Sequence, residues 1–246
     1  MFEKRPLYKM FSGVSSSYDI INRLLSFGFD QIWRKRAAHE CLKHAQERVL
    51  DLCCGTGDLA IRLSKKASPE ITVFALDFSE GMLETAKKKA GKRNLNNIDF
   101  YHADAAVMPF PDGFFDSIGI AFAFRNLTYH NPDRSKFLRE IHRVLKPGGR
   151  FVIIETSQPD NKLIRKLFHI YLEVIVPAIG GLISGKYGAY KYLGHSASNY
   201  YHNKDIKDLL LNAGFNYVEQ KPFFSGTLSL HITDILQPQE FYRNST

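Results

Sequence analysis

The stretch Val49-Leu50-Asp51-Leu52-Cys53-Cys54-Gly55-Thr56-Gly57-Asp58-Leu59-Ala60 constrains the architecture more than any other part of the chain. It reads as a short apolar strand, a tight glycine turn and the start of a helix. Glycines let the backbone take positive φ and come close to a nucleoside. Asp77 follows Gly55 by 22 residues, at the end of the next apolar run. An acid placed there can accept hydrogen bonds from both ribose hydroxyls of a bound nucleoside. The spacing Gly55-x-Gly57-x-x-Ala60 also fits the dinucleotide fingerprint, so the turn alone leaves a nicotinamide cofactor open.

Strand and helix patterns alternate around this turn. Strands are expected over 48–53, 71–76, 98–102, 115–122 and 151–155. Helices are expected from Asp58 to Lys66, from an N-cap at Ser79 through Lys89, and from Asn131-Pro132 to the Pro147-Gly148-Gly149 stop. That alternation predicts an α/β fold with a doubly wound, mostly parallel sheet. Asp30 is a candidate cap for a helix running from Gln31 toward Gln46. Residues 158–203 break the rhythm with tyrosines and glycines and read as a helical lid or insertion. A helix over 204–213 and strands over 215–220 and 227–233 follow, and the tail after Leu236 reads as loosely held. The whole chain, 1–246, is expected to be one domain. Its parts are an N-terminal helical cap (1–46), a ligand-binding core (47–157), the insertion (158–203) and a closing helix and strands (204–236).

Composition removes several classes. A chain of 246 residues can bury a full core without staples. Three cysteines, two of them adjacent, make neither a disulfide framework nor a metal site, and the histidines have no metal spacing. The first residues lack the apolar core of a signal peptide, and the longest apolar stretch, 174–183, is too short for a span of about 20 residues. The expected location is therefore cytoplasmic. The net charge of +8 suits an anionic surface without choosing between membrane and nucleic acid. No basic-aromatic stripe favours nucleic acid. The apolar segment 164–183, flanked by Lys162, Arg165, Lys166, Lys186 and Lys191, suits a prenyl tail and peripheral contact with a bilayer. The Lys87-Lys88-Lys89 run reads as a solvated helix face.

Two more blocks bear on the cofactor. Asp104-Ala105 follows the third strand, where a side-chain acceptor can read an adenine amino group. Leu145-Lys146-Pro147-Gly148-Gly149 precedes the fifth. With Asp51 to Gly57 and Asp77, these blocks resemble the class I S-adenosylmethionine-dependent methyltransferases, in order, over about a hundred residues. The resemblance implies a Rossmann-like seven-stranded sheet and S-adenosylmethionine as cofactor, with S-adenosylhomocysteine as product and no metal. The implied cofactor residues are Asp51, Gly55, Thr56, Gly57, Asp77, Phe78, Met82, Asp104, Ala105 and Ala121. Asp51 and Asp58 suit the cationic sulfonium and ammonium and would repel a dinucleotide's pyrophosphate.

Phe122-Ala123-Phe124-Arg125-Asn126-Leu127-Thr128 lies at the carboxyl end of the fourth strand, on the edge that faces the ligand crevice of such a sheet. Together with Tyr18-Asp19…Asn22…Leu25-Ser26-Phe27-Gly28, Trp33-Arg34 and Gly226 to His231, it resembles the ubiquinone/menaquinone biosynthesis C-methyltransferase family from about Met10 to His231. The resemblance implies carbon methylation of a polyprenylated hydroquinone, with demethylmenaquinol ahead of a benzoquinol. The sequence departs from the family pattern at Ala121, Ala123, Ile154 to Ser157 and Tyr192 to Ala197, and it lacks a lysine soon after His231. A ring carbon becomes nucleophilic when a hydroxyl of the hydroquinone loses its proton, so the site needs a proton acceptor and donors to the oxyanion. Arg125 and Asn126 are the expected donors. Tyr18 can orient the ring, and His231 can transfer a proton. A homodimer, a methyltransferase for another aromatic or lipid substrate, and a noncatalytic cofactor-binding protein all remain open at this point.

Overall fold

The computed structural model describes residues 18–235, and of Tyr18 the backbone alone. The loosely held tail expected after Leu236 lies outside the described residues. Seven strands form one sheet: β1 (Arg48–Leu52), β2 (Thr72–Asp77), β3 (Ile98–His102), β4 (Phe115–Ala121), β5 (Leu145–Thr156), β6 (Val218–Phe223) and β7 (Leu228–Asp234). Their order is β3-β2-β1-β4-β5-β7-β6. The first five run parallel, and β7 is antiparallel to β5 and β6. After β3 the chain returns to the far side of β1. The winding therefore reverses between β1 and β4, and a ligand crevice is expected at the carboxyl ends of these two strands.

Burial on both faces explains the nearly continuous apolar runs of the central strands. Leu50, Leu52, Ile118 and Ile120 face one core, while Val49, Val73, Val152 and Ile154 face the other. The helices are α1 (Tyr18–Leu25), α2 (Phe29–Leu42), α3 (Asp58–Lys66), α4 (Glu80–Gly91), α5 (Phe124–Thr128), α6 (Arg134–Val144), α7 (Lys162–Ile170), α8 (Val176–Ser184), α9 (Tyr187–Ser198) and α10 (Asn203–Asn212).

Several local expectations give way to tertiary partners. Asp30 does not cap α2, which starts one residue earlier after Gly28. Its carboxylate instead takes the Arg34 guanidinium at 2.6 Å, one turn along the same helix. The Asn131 side chain accepts the Asp133 N–H at 3.0 Å, so Asn131-Pro132 forms a turn ahead of α6 rather than its first residues. Lys89 is not solvated like its neighbours Lys87 and Lys88. It lies 2.5 Å from both Asp19 of α1 and Asp58 of α3.

Residues 158–203 are mostly helical. α7, a π turn at Tyr171–Ile175 and α8 form one helical run, Lys162–Ser184, and Pro177, which has no N–H to give the hydrogen-bond ladder, lies two residues past the π turn. Among the described residues this 23-residue run is the one helix long and apolar enough, by length and composition, to cross a membrane. That corrects the shorter apolar stretch expected from the sequence. One side of the run packs into a third core with α1 and α9, made by Ile21, Leu25, Leu172, Val176, Tyr190 and Ala197. The glycines of the insertion permit these close contacts: a Cβ on Gly180 would collide with the Tyr190 ring, and one on Gly194 with the Leu172 carbonyl.

Candidate active site

Asp51, at the end of β1, is buried and accepts the Ala60 N–H at 2.8 Å, tying the strand to the first turn of α3. Burial pushes its carboxyl up to about 8. The chain then turns through Cys53, Gly55 and Gly57 with φ of 54°, 55° and 79°. The Gly55 N–H donates to Asp77 Oδ2 and the Ser79 N–H to Oδ1, each at 2.8 Å. Burial raises the Asp77 carboxyl to about 6. The Phe78 backbone N–H also donates to this carboxylate, whose oxygens face the cavity as acceptors for a ribose hydroxyl. A Cβ built on Gly55 would meet nothing within 4 Å, so the space over the turn is open to a ligand.

Asp51, Gly55, Thr56, Asp77, Phe78 and Met82 line one cavity, with Asp104, Ala105 and Ala121 on its other walls. Gly57 does not line it and is the N-cap of α3. A Cβ there would approach the Ala86 Cβ to 2.8 Å. Gly57→Ala combines that overlap with an unfavourable positive φ. It should lower stability by about 1–3 kcal/mol, read from urea unfolding. The rim is pinned from outside: Thr56 Oγ1 donates to Asp19, and Lys89 reaches Thr56 Oγ1 at 3.2 Å.

A second cavity adjoins the first. Leu25, Phe168, Leu172, Val176 and Leu193 give it apolar walls, and Arg125 and Thr156 supply polar groups. Arg34 and Phe122 line both cavities. Phe122 has φ of 62°, an outlier for so bulky a residue, and strain of that kind concentrates at functional sites. Arg125 is buried. Its Nη1 donates to Glu155 Oε1 and Thr156 Oγ1, each at 2.9 Å, and its Nε donates to Ser196 Oγ at 3.1 Å.

The model of the ubiE/COQ5 methyltransferase family matches residues 2–234. The chain belongs to this family. A demethylmenaquinone methyltransferase of Thermus thermophilus is 42% identical over 225 residues, covering 92% of this chain and 99% of that protein. A ubiquinone/menaquinone biosynthesis C-methyltransferase of Geobacter sulfurreducens is 42% identical over 208 residues, 84% of this chain and 79% of the relative. Among solved structures, a methyltransferase from Aquifex aeolicus aligns with a TM-score of 0.63 at 21% identity, over 89% of this chain and 98% of its own. The [4+2]-cyclase SpnF aligns at 0.67 and 16% identity, over 94% and 95%. These two likenesses bear on the fold alone.

As a member of the ubiE/COQ5 family, the protein is a methyltransferase that uses S-adenosylmethionine, which removes the nicotinamide reading of the glycine turn. The first cavity fits that cofactor. It has room above Gly55, acceptor lone pairs on Asp77, and carboxylates for a ligand with two cationic centres. Among the described residues no group of three or more His, Cys, Asp or Glu could hold a metal ion.

The residues expected to act on the acceptor do not all meet. Arg125 lines the second cavity and Asn126 the first, although they are adjacent on α5. His231 lines neither. It is fully buried on β7, where Gln220 Nε2 lies 3.3 Å from its Nδ1, and burial lowers its pKa to about 4. The structure therefore does not bring this ring to either cavity with Arg125 and Asn126. The side chain of Tyr18 lies outside the described residues. Sequence reasoning missed Arg34 and Phe122 as site residues. Trp33-Arg34 was visible as a motif, but nothing local shows that α2 brings it to the carboxyl end of β4.

Proposed function

We propose that the protein methylates a ring carbon of a polyprenylated hydroquinone, with demethylmenaquinol the first candidate. The observation that carries this reading is the second cavity. It has apolar walls for a ring and the first isoprene units, it touches the donor cavity through Arg34 and Phe122, and it holds a buried guanidinium. The names of the Thermus and Geobacter relatives support the same substrate class. The cofactor supplies an electrophilic methyl on a sulfonium. The chain's own work is to stabilise negative charge on the ring oxygen and to exclude water. The Arg125 guanidinium acts as a fixed donor to that oxygen, held in direction by Glu155, Thr156 and Ser196. The insertion roofs the cavity through Phe168, Tyr171, Leu172 and Val176, which is the basis for reading it as a lid.

The test is methyl transfer to short-tailed demethylnaphthoquinol and to a methoxybenzoquinol under reducing conditions, read by mass. Gain of one carbon-bound methyl on the naphthoquinol is the expected result. Transfer to the benzoquinol alone would move the substrate to the other ring, and transfer to neither would end the proposal.

The same reading places the protein at the cytoplasmic face of an anionic bilayer. Leu163, Leu167, Ile170, Val174 and Leu182 form an exposed stripe along the Lys162–Ser184 helix, and Ile20 and Leu24 on α1, with Phe27 just after it, are exposed as well. Lys162, Arg165, Lys166 and Lys186 flank the longer stripe. A helix that buries Leu172 and Val176 in the third core and leaves an apolar stripe exposed beside basic residues suits lying in the headgroup region better than spanning it. Leu167→Glu with Val174→Glu should weaken binding to anionic liposomes at least about tenfold, while leaving turnover of a short-tailed soluble quinol unchanged. If the wild-type protein fails to float with such vesicles, the membrane part of the reading falls.

A further inference from the structure

The donor cavity is unbalanced in charge. Asp51, Asp58, Asp77 and Asp104 line it, and among the described lining residues the one cation is Arg34. S-adenosylmethionine carries two positive groups, the sulfonium and the ammonium, and one negative group, the carboxylate of its methionine end. The aspartates favour the first two and repel the third. A carboxylate taken out of water into such a cavity needs a cationic partner of its own. Arginine suits this role because its planar fork matches a carboxylate in two parallel hydrogen bonds.

Arg34 is placed for that contact. It is buried, and its hydrogen bonding among the described residues uses Nη1 alone, to Asp30 Oδ2 at 2.6 Å. Asp30 is itself steadied by the Ser26 hydroxyl at 3.0 Å and by Gln31 Nε2 at 2.6 Å. The guanidinium lies over the Phe122 ring, 4.9 Å from its centroid. The group is therefore held from one side by a carboxylate and from another by a ring, and its remaining N–H donors are uncommitted. It also stands at the wall between the two cavities, where the donor and the acceptor must come together.

We propose that Arg34 receives the methionine carboxylate of S-adenosylmethionine, with Asp30 and Phe122 fixing the guanidinium in place. The inference rests on the cofactor and not on the identity of the acceptor. Arg34 then sets how the methionine end lies, and with it the direction in which the methyl faces the second cavity. It is a binding and positioning residue, and it donates nothing to the reacting carbon.

The test is calorimetric binding of S-adenosylhomocysteine and of its decarboxylated analogue, with no acceptor present. The wild-type protein should bind the carboxylated ligand about 10- to 100-fold more tightly, the range of one charge-assisted contact. Arg34→Met keeps an apolar stem against Phe122 and removes the charge. It should lose that preference by weakening S-adenosylhomocysteine alone, and Arg34→Lys should restore part of it. Equal affinity of the wild-type protein for the two ligands would overturn the proposal without recourse to any variant. So would an Arg34→Met protein that keeps the preference, or one that weakens both ligands equally as a structural ion pair would. Failure of methyl transfer to quinols with the preference intact would count against the acceptor reading and leave this one standing.

Discussion

Arg125→Ala should lower stability by about 3–5 kcal/mol, because it strands a buried carboxylate. Glu155 is fully inaccessible, and Arg125 is its counter-ion at 2.9 Å. The other Glu155 oxygen accepts the Arg125 backbone N–H at 3.1 Å, so the start of α5 is tied to the end of β5 twice. For a chain of this size the loss corresponds to a melting point lower by roughly 10 °C. Methyl transfer should fall by about 10²–10³ if the guanidinium also faces the ring oxygen. The two effects separate in the double variant Arg125→Met with Glu155→Leu. Replacing a whole buried pair by apolar groups of similar size is often neutral for stability. The double variant should therefore melt close to the wild type and still turn over hundreds of times more slowly. Recovery of turnover along with stability would show that Arg125 only holds the fold.

Cofactor affinity should rise steeply with pH between about 6 and 8. Burial raises Asp51 to about 8 and Asp77 to about 6, against 3.8 for an ordinary aspartate. Both folded values lie above the unfolded one. In the free protein the stability these groups contribute is thus fully present below about pH 4 and is lost as the pH climbs through about 6 and then about 8. A bound ammonium favours the Asp51 anion, and ribose hydroxyls favour the Asp77 anion. Binding must then release protons, and affinity should increase by up to about tenfold per pH unit while Asp51 titrates. Calorimetry of S-adenosylhomocysteine in buffers of different ionisation enthalpy measures that release directly. Asp51→Asn keeps an acceptor for the Ala60 N–H and should remove most of the proton release near pH 7. An affinity flat from pH 6 to 8 in the wild type would mean that the cofactor's ammonium lies elsewhere.

What could be read in the sequence was what depends on near neighbours. The glycine turn, Asp51 and Asp77 declare themselves because positive φ and a strand-end acid are local requirements, and the structure brings them to one cavity. The alternation of strand and helix was legible for the same reason. Where distant partners compete, local rules fail. Asp30 has the look of a cap, yet Arg34 draws it into an ion pair. Lys89 looks solvated until α1 and α3 each bring an aspartate to it. His231 carries a ring suited to proton transfer, but β7 lies between β5 and β6 and the ring is fully buried there. The strain at Phe122 is a property of backbone angles, and no residue type announces it.

The Lys89 cluster has a consequence for how the chain can be divided. Asp19 belongs to the N-terminal cap, while Thr56, Asp58 and Lys89 belong to the donor-binding core. Grafting a foreign leader onto this core to change its choice of acceptor would also loosen the cradle of the methyl donor. One lysine thus fastens the cap, whose Asn22 and Leu25 line the second cavity, to the turn that edges the first, so a change at either segment is felt at the other.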